Sequence, residues 1–192
     1  MKKEVRKIYL VRHGESFFNR SKRFTGWIDS GLTVKGKRQA KKVAENLKNA
    51  KFDVAYTTTL SRAKDTLKFI LKYHPGLKVI VDDRVIERNY GDLSGKFHAS
   101  YVKKHPKLFW VYRRSYDVPP PGGESIKQVE DRVLPFIKEV IEKMKKEKIN
   151  VLVVAHGNSM RPMRRYFEKL SEEEMMKLEN AWDKAYIYEV EV

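Results

Sequence analysis

The chain has 192 residues, 41% of them hydrophobic, which suits one domain with a sizeable core. No run approaches the roughly 18 apolar residues of a membrane span, and the charged start from Met1 to Arg6 leads into a strand rather than an apolar leader, so a cytoplasmic protein with no membrane partner is expected. Zero cysteines exclude a disulfide framework, a thiolate metal site and a thiol nucleophile, while 41 Lys plus Arg against 25 Asp plus Glu give a formal charge of +16 that draws anions.

In chain order, Lys7–Val11 is short, apolar and β-rich, and Gly14 breaks it, which puts Arg12 and His13 at a strand's carboxyl end. From an N-cap at Thr33, Ala40, Val43, Ala44 and Leu47 recur at helical spacing. Asp53–Thr57 reads as a strand, and a second helix follows that buries Ala63, Leu67, Ile70 and Leu71. Lys78–Val81 is a further strand, and the apolar pair Val85-Ile86 places Glu87 at a strand end. An aromatic-rich stretch at about residues 94–118 interrupts the alternation as a small helical cap insertion, and the proline-glycine run 117–123 closes it as a loop. A long helix runs from Glu124 to about Lys146, with Pro135 expected to bend it or displace its start. Strand 151–155, a short helix after Asn158 and a last strand near 185–192 complete the chain. This alternation predicts an α/β fold, a three-layer sandwich with a mostly parallel central sheet flanked by helices, formed by residues 1–192 as a single domain.

Two strands end in the same way. His13-Gly14 follows one apolar run and His156-Gly157 another, and if the strands are neighbours in a parallel sheet, the two imidazoles face one crevice at the edge where such sheets bind ligands. A neutral imidazole is a good nucleophile towards phosphorus, which makes His13 the candidate nucleophile. The transferred group is anionic throughout, so cations already in place do much of the work, and Arg12, Arg62 and His156 are the candidates. Arg62 sits just inside a predicted helix start, where free N–H groups and a guanidinium suit a phosphate together. Glu87 is the candidate general acid and base, its bland alternative being an ion pair with Arg84 or Arg88. The basic runs on the predicted helices read as solvated faces rather than a nucleic-acid surface, and Trp27 and Trp110 as packing residues. Neither His-x-x-x-His nor a carboxylate cluster accompanies the histidines, so no metal is expected.

Arg12-His13-Gly14-Glu15 resembles the signature of the histidine phosphatase superfamily. The series continues with Asn19, Phe24-Thr25-Gly26-Trp27, Leu32–Gly36, Thr59–Ala63, Glu87–Gly91, Arg113-Arg114 and His156–Arg161, and it is similar to the cofactor-dependent phosphoglycerate mutase branch. The resemblance implies a phosphohistidine on His13 and a small anionic phosphate ester bound by Asn19, Thr25, Gly26, Tyr90, Arg113, Arg114, Gly157 and Asn158. It further implies 2,3-bisphosphoglycerate as phosphoryl primer, interconversion of 3- and 2-phosphoglycerate, no metal and a possible homodimer.

Three features depart from the mutase pattern. His98 stands where a substrate-binding lysine is usual, with Lys96 two residues out of register. Pro119–Ser125 joins the cap directly to the long helix, where long-form mutases carry an insertion, and Asn180–Ala185 differs from the usual Pro-Thr-Gly type of segment. The alternatives are a phosphomonoesterase of the same superfamily and, more remotely, a basic binding module without catalysis.

Overall fold

In the computed structural model residues 4–192 are described, so the part of the N-terminal reading that falls on Met1, Lys2 and Lys3 lies outside them. The strands are β1 (Val5–Arg12), β2 (Val54–Thr57), β3 (Lys78–Val81), β4 (Val151–Ala155) and β5 (Ala185–Glu191), arranged β3-β2-β4-β1-β5. All neighbours run parallel except β5, which pairs antiparallel with β1 at one edge. Alternation along the central strands sends side chains to two separate cores. Ile8, Leu10, Val151 and Val153 face one, with Val133, Phe136, Ile137 and Val140 from α6 (Ile126–Glu147) and Met160 and Met163 from α7 (Gly157–Glu168). Tyr9, Val11, Leu152 and Val154 face the other, against α2 (Val34–Asn46) and α3 (Ser61–Leu71). Buried on both faces, β1 and β4 read as continuous apolar runs.

The remaining helices are short: α1 (Phe17–Arg20), α4 (His98–Lys104), α5 (Pro106–Arg114) and α8 (Glu172–Lys177). The expected cap region holds α4 and α5, with Phe109 packed on Phe24 and Leu93 in a small apolar cluster of its own. Among the described residues no helix is long and apolar enough to cross a membrane.

Several local expectations change. Val85 ends a 3-10 turn (Asp83–Val85), so Glu87 stands on an irregular segment and not at a strand end. Helix α6 starts after Ser125, whose side chain and Gln128 form a capping box, and it continues through Pro135 with its start undisplaced. Helix α7 begins at Gly157, before Asn158, and runs for 12 residues. Trp27 and Trp110 are exposed rather than packed.

Candidate active site

Register builds the site. β1 and β4 pair in parallel with Arg12 opposite Ala155, so the next residues on each strand, His13 and His156, meet. The His13 amide donates to the Ala155 carbonyl at 3.0 Å, and the two imidazole centroids are 5.0 Å apart. Gly14 permits the turn that follows, because a Cβ there would lie 2.3 Å from the Gly36 carbonyl oxygen at the start of α2. His13 Nδ1 lies 2.7 Å from the Gly14 carbonyl, which only accepts, so Nδ1 carries the proton and Nε2 keeps its lone pair. His156 Nε2 is 2.9 Å from the Thr58 hydroxyl, just beyond the neighbouring β2, and its buried Nδ1 has no partner. Burial first, then the Arg62 and Arg12 charges, holds His13 well below 6.5, and burial with Arg62 does the same for His156.

The cations around this pair are anchored but incompletely satisfied. Arg62 is 1% exposed and donates to the carbonyls of Gly26 and Ile28 at 2.9 and 3.1 Å, while its Nε is without a partner. The expected free N–H groups beside it are partly used, since Asp29 accepts from the Ser61 amide and hydroxyl. Arg12 donates to the Asn180 carbonyl at 2.8 Å, and its buried Nε is likewise unpaired. Unpaired buried polar atoms are costly, and the charges of Arg12 and Arg62 both act on the His13 and His156 pair, a setting that suits an anion. Glu87 forms no ion pair with Arg84, which binds Asp82 and Glu139, or with the Arg88 guanidinium. Its Oε1 instead accepts from the amides of Arg88 and Asn158 at 2.9 and 3.1 Å. Arg132 and Trp27 hold the Glu87 carbonyl at 3.0 and 2.7 Å.

Asn19, Thr25, Gly26, Tyr90, Arg113, Arg114, Gly157 and Asn158 all line a cavity of about 150 Å³ together with Arg12 and Glu87. Gly26 turns the chain there with φ +54°, and Tyr90 packs on Phe24. Arg113 faces His98 and Arg114 lies 3.5 Å from Glu179. Arg23, Arg161, Glu179 and Asn180 also line the cavity and were missed as candidates. Arg161 had a readable signal, four residues after Gly157 and so on the same helix face; Glu179 and Asn180 lie on an irregular segment with no periodic pattern. Lys96 is exposed and does not line the cavity. His13 and His156, 1% and 0% exposed, are not among the residues that line this cavity.

His13, Glu87 and His156 bring one potential ligand atom each within 4.8 Å of one another, a grouping that no sequence spacing signals because its members come from separate segments. Both histidines feel the charges of Arg12 and Arg62, so this donor set is matched to an anion better than to a metal ion.

These features define a class of protein. The sequence model of the histidine phosphatase superfamily (branch 1) matches residues 8–192, and the chain belongs to that superfamily as an enzyme. The 2,3-bisphosphoglycerate-dependent phosphoglycerate mutase of Parvibaculum lavamentivorans is 40% identical over 190 residues, 96% of this chain and 90% of that protein. The protein of the same name from Brucella melitensis is 45% identical over 179 residues, 91% of this chain and 87% of its own. Among solved structures, a mycobacterial glucosyl-3-phosphoglycerate phosphatase superposes with a TM-score of 0.82 at 27% identity, over 96% of this chain and 89% of that one.

Proposed function

We propose that this chain is a 2,3-bisphosphoglycerate-dependent phosphoglycerate mutase that interconverts 3- and 2-phosphoglycerate through a phosphohistidine on His13. The observation that carries this reading is the cavity lining: Arg12, Arg23, Arg113, Arg114 and Arg161 face only two carboxylates, Glu87 and Glu179. Such an excess of fixed cations suits a small substrate that is anionic at both ends. The likeness at 40 and 45% identity to proteins named as mutases supports the same choice.

The unpaired Nε atoms of Arg12 and Arg62 and the unpaired Nδ1 of His156 fit a phosphoryl group, including one delivered by 2,3-bisphosphoglycerate. In the mechanism that follows, His13 Nε2 attacks phosphorus in line with the leaving oxygen, and its Nδ1–H stays on the Gly14 carbonyl. With the Thr58 hydroxyl donating to His156 Nε2, the His156 Nδ1 carries a proton and joins the two guanidiniums on the equatorial oxygens. Glu87, fixed through Oε1 by two amides, gives its proton from Oε2 to the leaving oxygen and takes one back from the hydroxyl that next attacks. Asn19, Thr25, Gly26, Tyr90, Gly157 and Asn158 hold the substrate over His13, while Arg113 and Arg114 retain its second anionic group. The near-complete burial of His13 restricts water at the phosphohistidine.

One observation favours a phosphatase. His98 lines the cavity at the position of the expected lysine, and burial followed by the charges of Arg113 and Lys22 pushes its pKa down to about 4, so it adds no cation near neutrality. The deciding experiment supplies 3-phosphoglycerate with a trace of 2,3-bisphosphoglycerate and follows 2-phosphoglycerate and free phosphate together. Predominant 2-phosphoglycerate supports the mutase; phosphate alone overturns it.

A further inference from the structure

Arg12 is held on three sides. Its guanidinium carbon lies 4.4 Å from the ring centroid of Trp182, its Nη1 donates to the Asn180 carbonyl, and the backbone of Gly157 approaches closely. A Cβ at Gly157 would come within 3.3 Å of the guanidinium carbon and of Nη2. Trp182 belongs to the irregular segment between α8 and β5, the same segment that departs from the Pro-Thr-Gly type. That segment is pinned on either side of the indole. Asn180 donates to the Gly157 carbonyl at 2.8 Å and accepts from Arg164 at 3.0 Å, while Asp183 pairs with Lys42 of α2 at 2.7 Å.

We infer that Trp182 is a positioning residue, whose ring holds the Arg12 guanidinium with Nε turned to the transferred phosphoryl group. The inference rests on the reading of Arg12 as a phosphoryl-binding cation. A guanidinium on a flexible stem has many orientations, and only some of them direct Nε at the site. Stacking on an indole face is attractive and leaves the in-plane N–H donors free, so the ring selects orientation without competing for the donors. The Asn180 carbonyl then uses Nη1, which leaves Nε unpaired. The indole N–H is itself buried without a partner, so the position is not optimised for a tryptophan hydrogen bond, and the ring face is what the site uses. Preorganisation of this kind counts most where the equatorial oxygens take up their planar arrangement, in the trigonal-bipyramidal transition state.

The test compares the wild type with Trp182→Phe and Trp182→Ala, measuring calorimetric binding of orthovanadate, which adopts the transition-state geometry, and of inorganic phosphate, which does not. Turnover of the best phosphate ester is measured alongside. Trp182→Ala is expected to weaken vanadate at least tenfold and phosphate less than threefold, with kcat falling in step with vanadate affinity and KM nearly unchanged. Trp182→Phe, which keeps a ring face and loses the N–H, is expected to stay within threefold of wild type. Equal weakening of both anions by Trp182→Ala, or equal damage by both variants, overturns the inference. Vanadate should also alter the tryptophan emission of the wild type, and this signal should shrink in Trp182→Phe to the share of Trp27, whose indole N–H sits on the Glu87 carbonyl. An undiminished signal in Trp182→Phe overturns the inference even if Trp182→Ala does not fold. A wild type that binds neither anion and turns over no phosphate ester fails at the prior step, the phosphoryl-transfer reading itself.

Discussion

His98 Nδ1 lies 3.2 Å from Arg113 Nη1, and the His98 ring stands edge-on to Phe24 with centroids 4.4 Å apart. Arg113 can only donate, so His98 accepts and is neutral, as its pKa of about 4 requires. The residue therefore orients a cation without adding one. His98→Lys should supply the missing charge and strengthen binding of a bisphosphorylated ligand by about tenfold, or ~1.4 kcal/mol. Competition binding of 2,3-bisphosphoglycerate checks this; unchanged or weaker affinity would mean that the added charge is spent on repelling Arg113.

Acid should destabilise the protein through its central histidines. Both are kept neutral in the folded chain well below 6.5, whereas in the unfolded chain they take up protons at about 6.5. The unfolded state thus binds more protons as pH falls below that value, and the stability present at pH 7.5 is lost progressively from about 6.5 downward. Each group contributes up to about 1.4 kcal/mol per pH unit over that range. Urea unfolding at pH 7.5, 6 and 5 measures the slope, and His13→Gln should flatten it by about half of the histidine share.

The sheet and the chain order of its elements were readable because β1 and β4 are short continuous apolar runs, with Ile8 and Leu10 facing one core and Tyr9 and Val11 the other, and α6 carries a helical apolar period. The meeting of His13 and His156 followed from two strands of the same type ending in the same dipeptide, which needed only the assumption that they are neighbours. Glu87 was harder. Its segment owes its course to Arg132, which reaches from α6 to the carbonyls of Arg84, Ile86 and Glu87 and pairs with Glu124. Such tertiary anchoring leaves no local pattern, and an apolar pair before a carboxylate imitates a strand end. Arg23 and Trp182 were missed for the same reason: the one is placed by the Gly95 carbonyl and the Phe97 ring, the other by the segment around Asn180.

The contact between the first His-Gly corner and α2 should be intolerant of any side chain. A Cβ at Gly14 would sit 2.3 Å from the Gly36 carbonyl oxygen, and one at Gly36 would sit 2.1 Å from the Glu15 carbonyl oxygen. Backbone on both sides cannot rotate away as a flexible side chain can. Gly14→Ala should therefore cost roughly 1–3 kcal/mol, the usual range for overpacking, and lower the thermal midpoint. Because the His13 tautomer depends on the Gly14 carbonyl, activity should fall even at temperatures where the variant is folded. Full activity in a destabilised variant would separate the packing role from the catalytic one.

Glu87 offers the sharpest test of the proton transfer, because the need for a general acid depends on the leaving group. Its Oε1 is held by the amides of Arg88 and Asn158, so Glu87→Gln keeps an acceptor oxygen in place while removing the acid. An alkoxide leaving from phosphoglycerate is a strong base and must be protonated as it departs, whereas p-nitrophenolate leaves unaided. The variant should lose about 10²–10⁴-fold in kcat with phosphoglycerate and, by contrast, less than about tenfold in phosphohistidine formation from p-nitrophenyl phosphate, since the missing proton no longer limits that step. Rapid-quench measurement of the first turnover with each ester separates the two cases. Equal losses with both would assign Glu87 to positioning of Asn158 and the α7 terminus, and another group would have to deliver the proton.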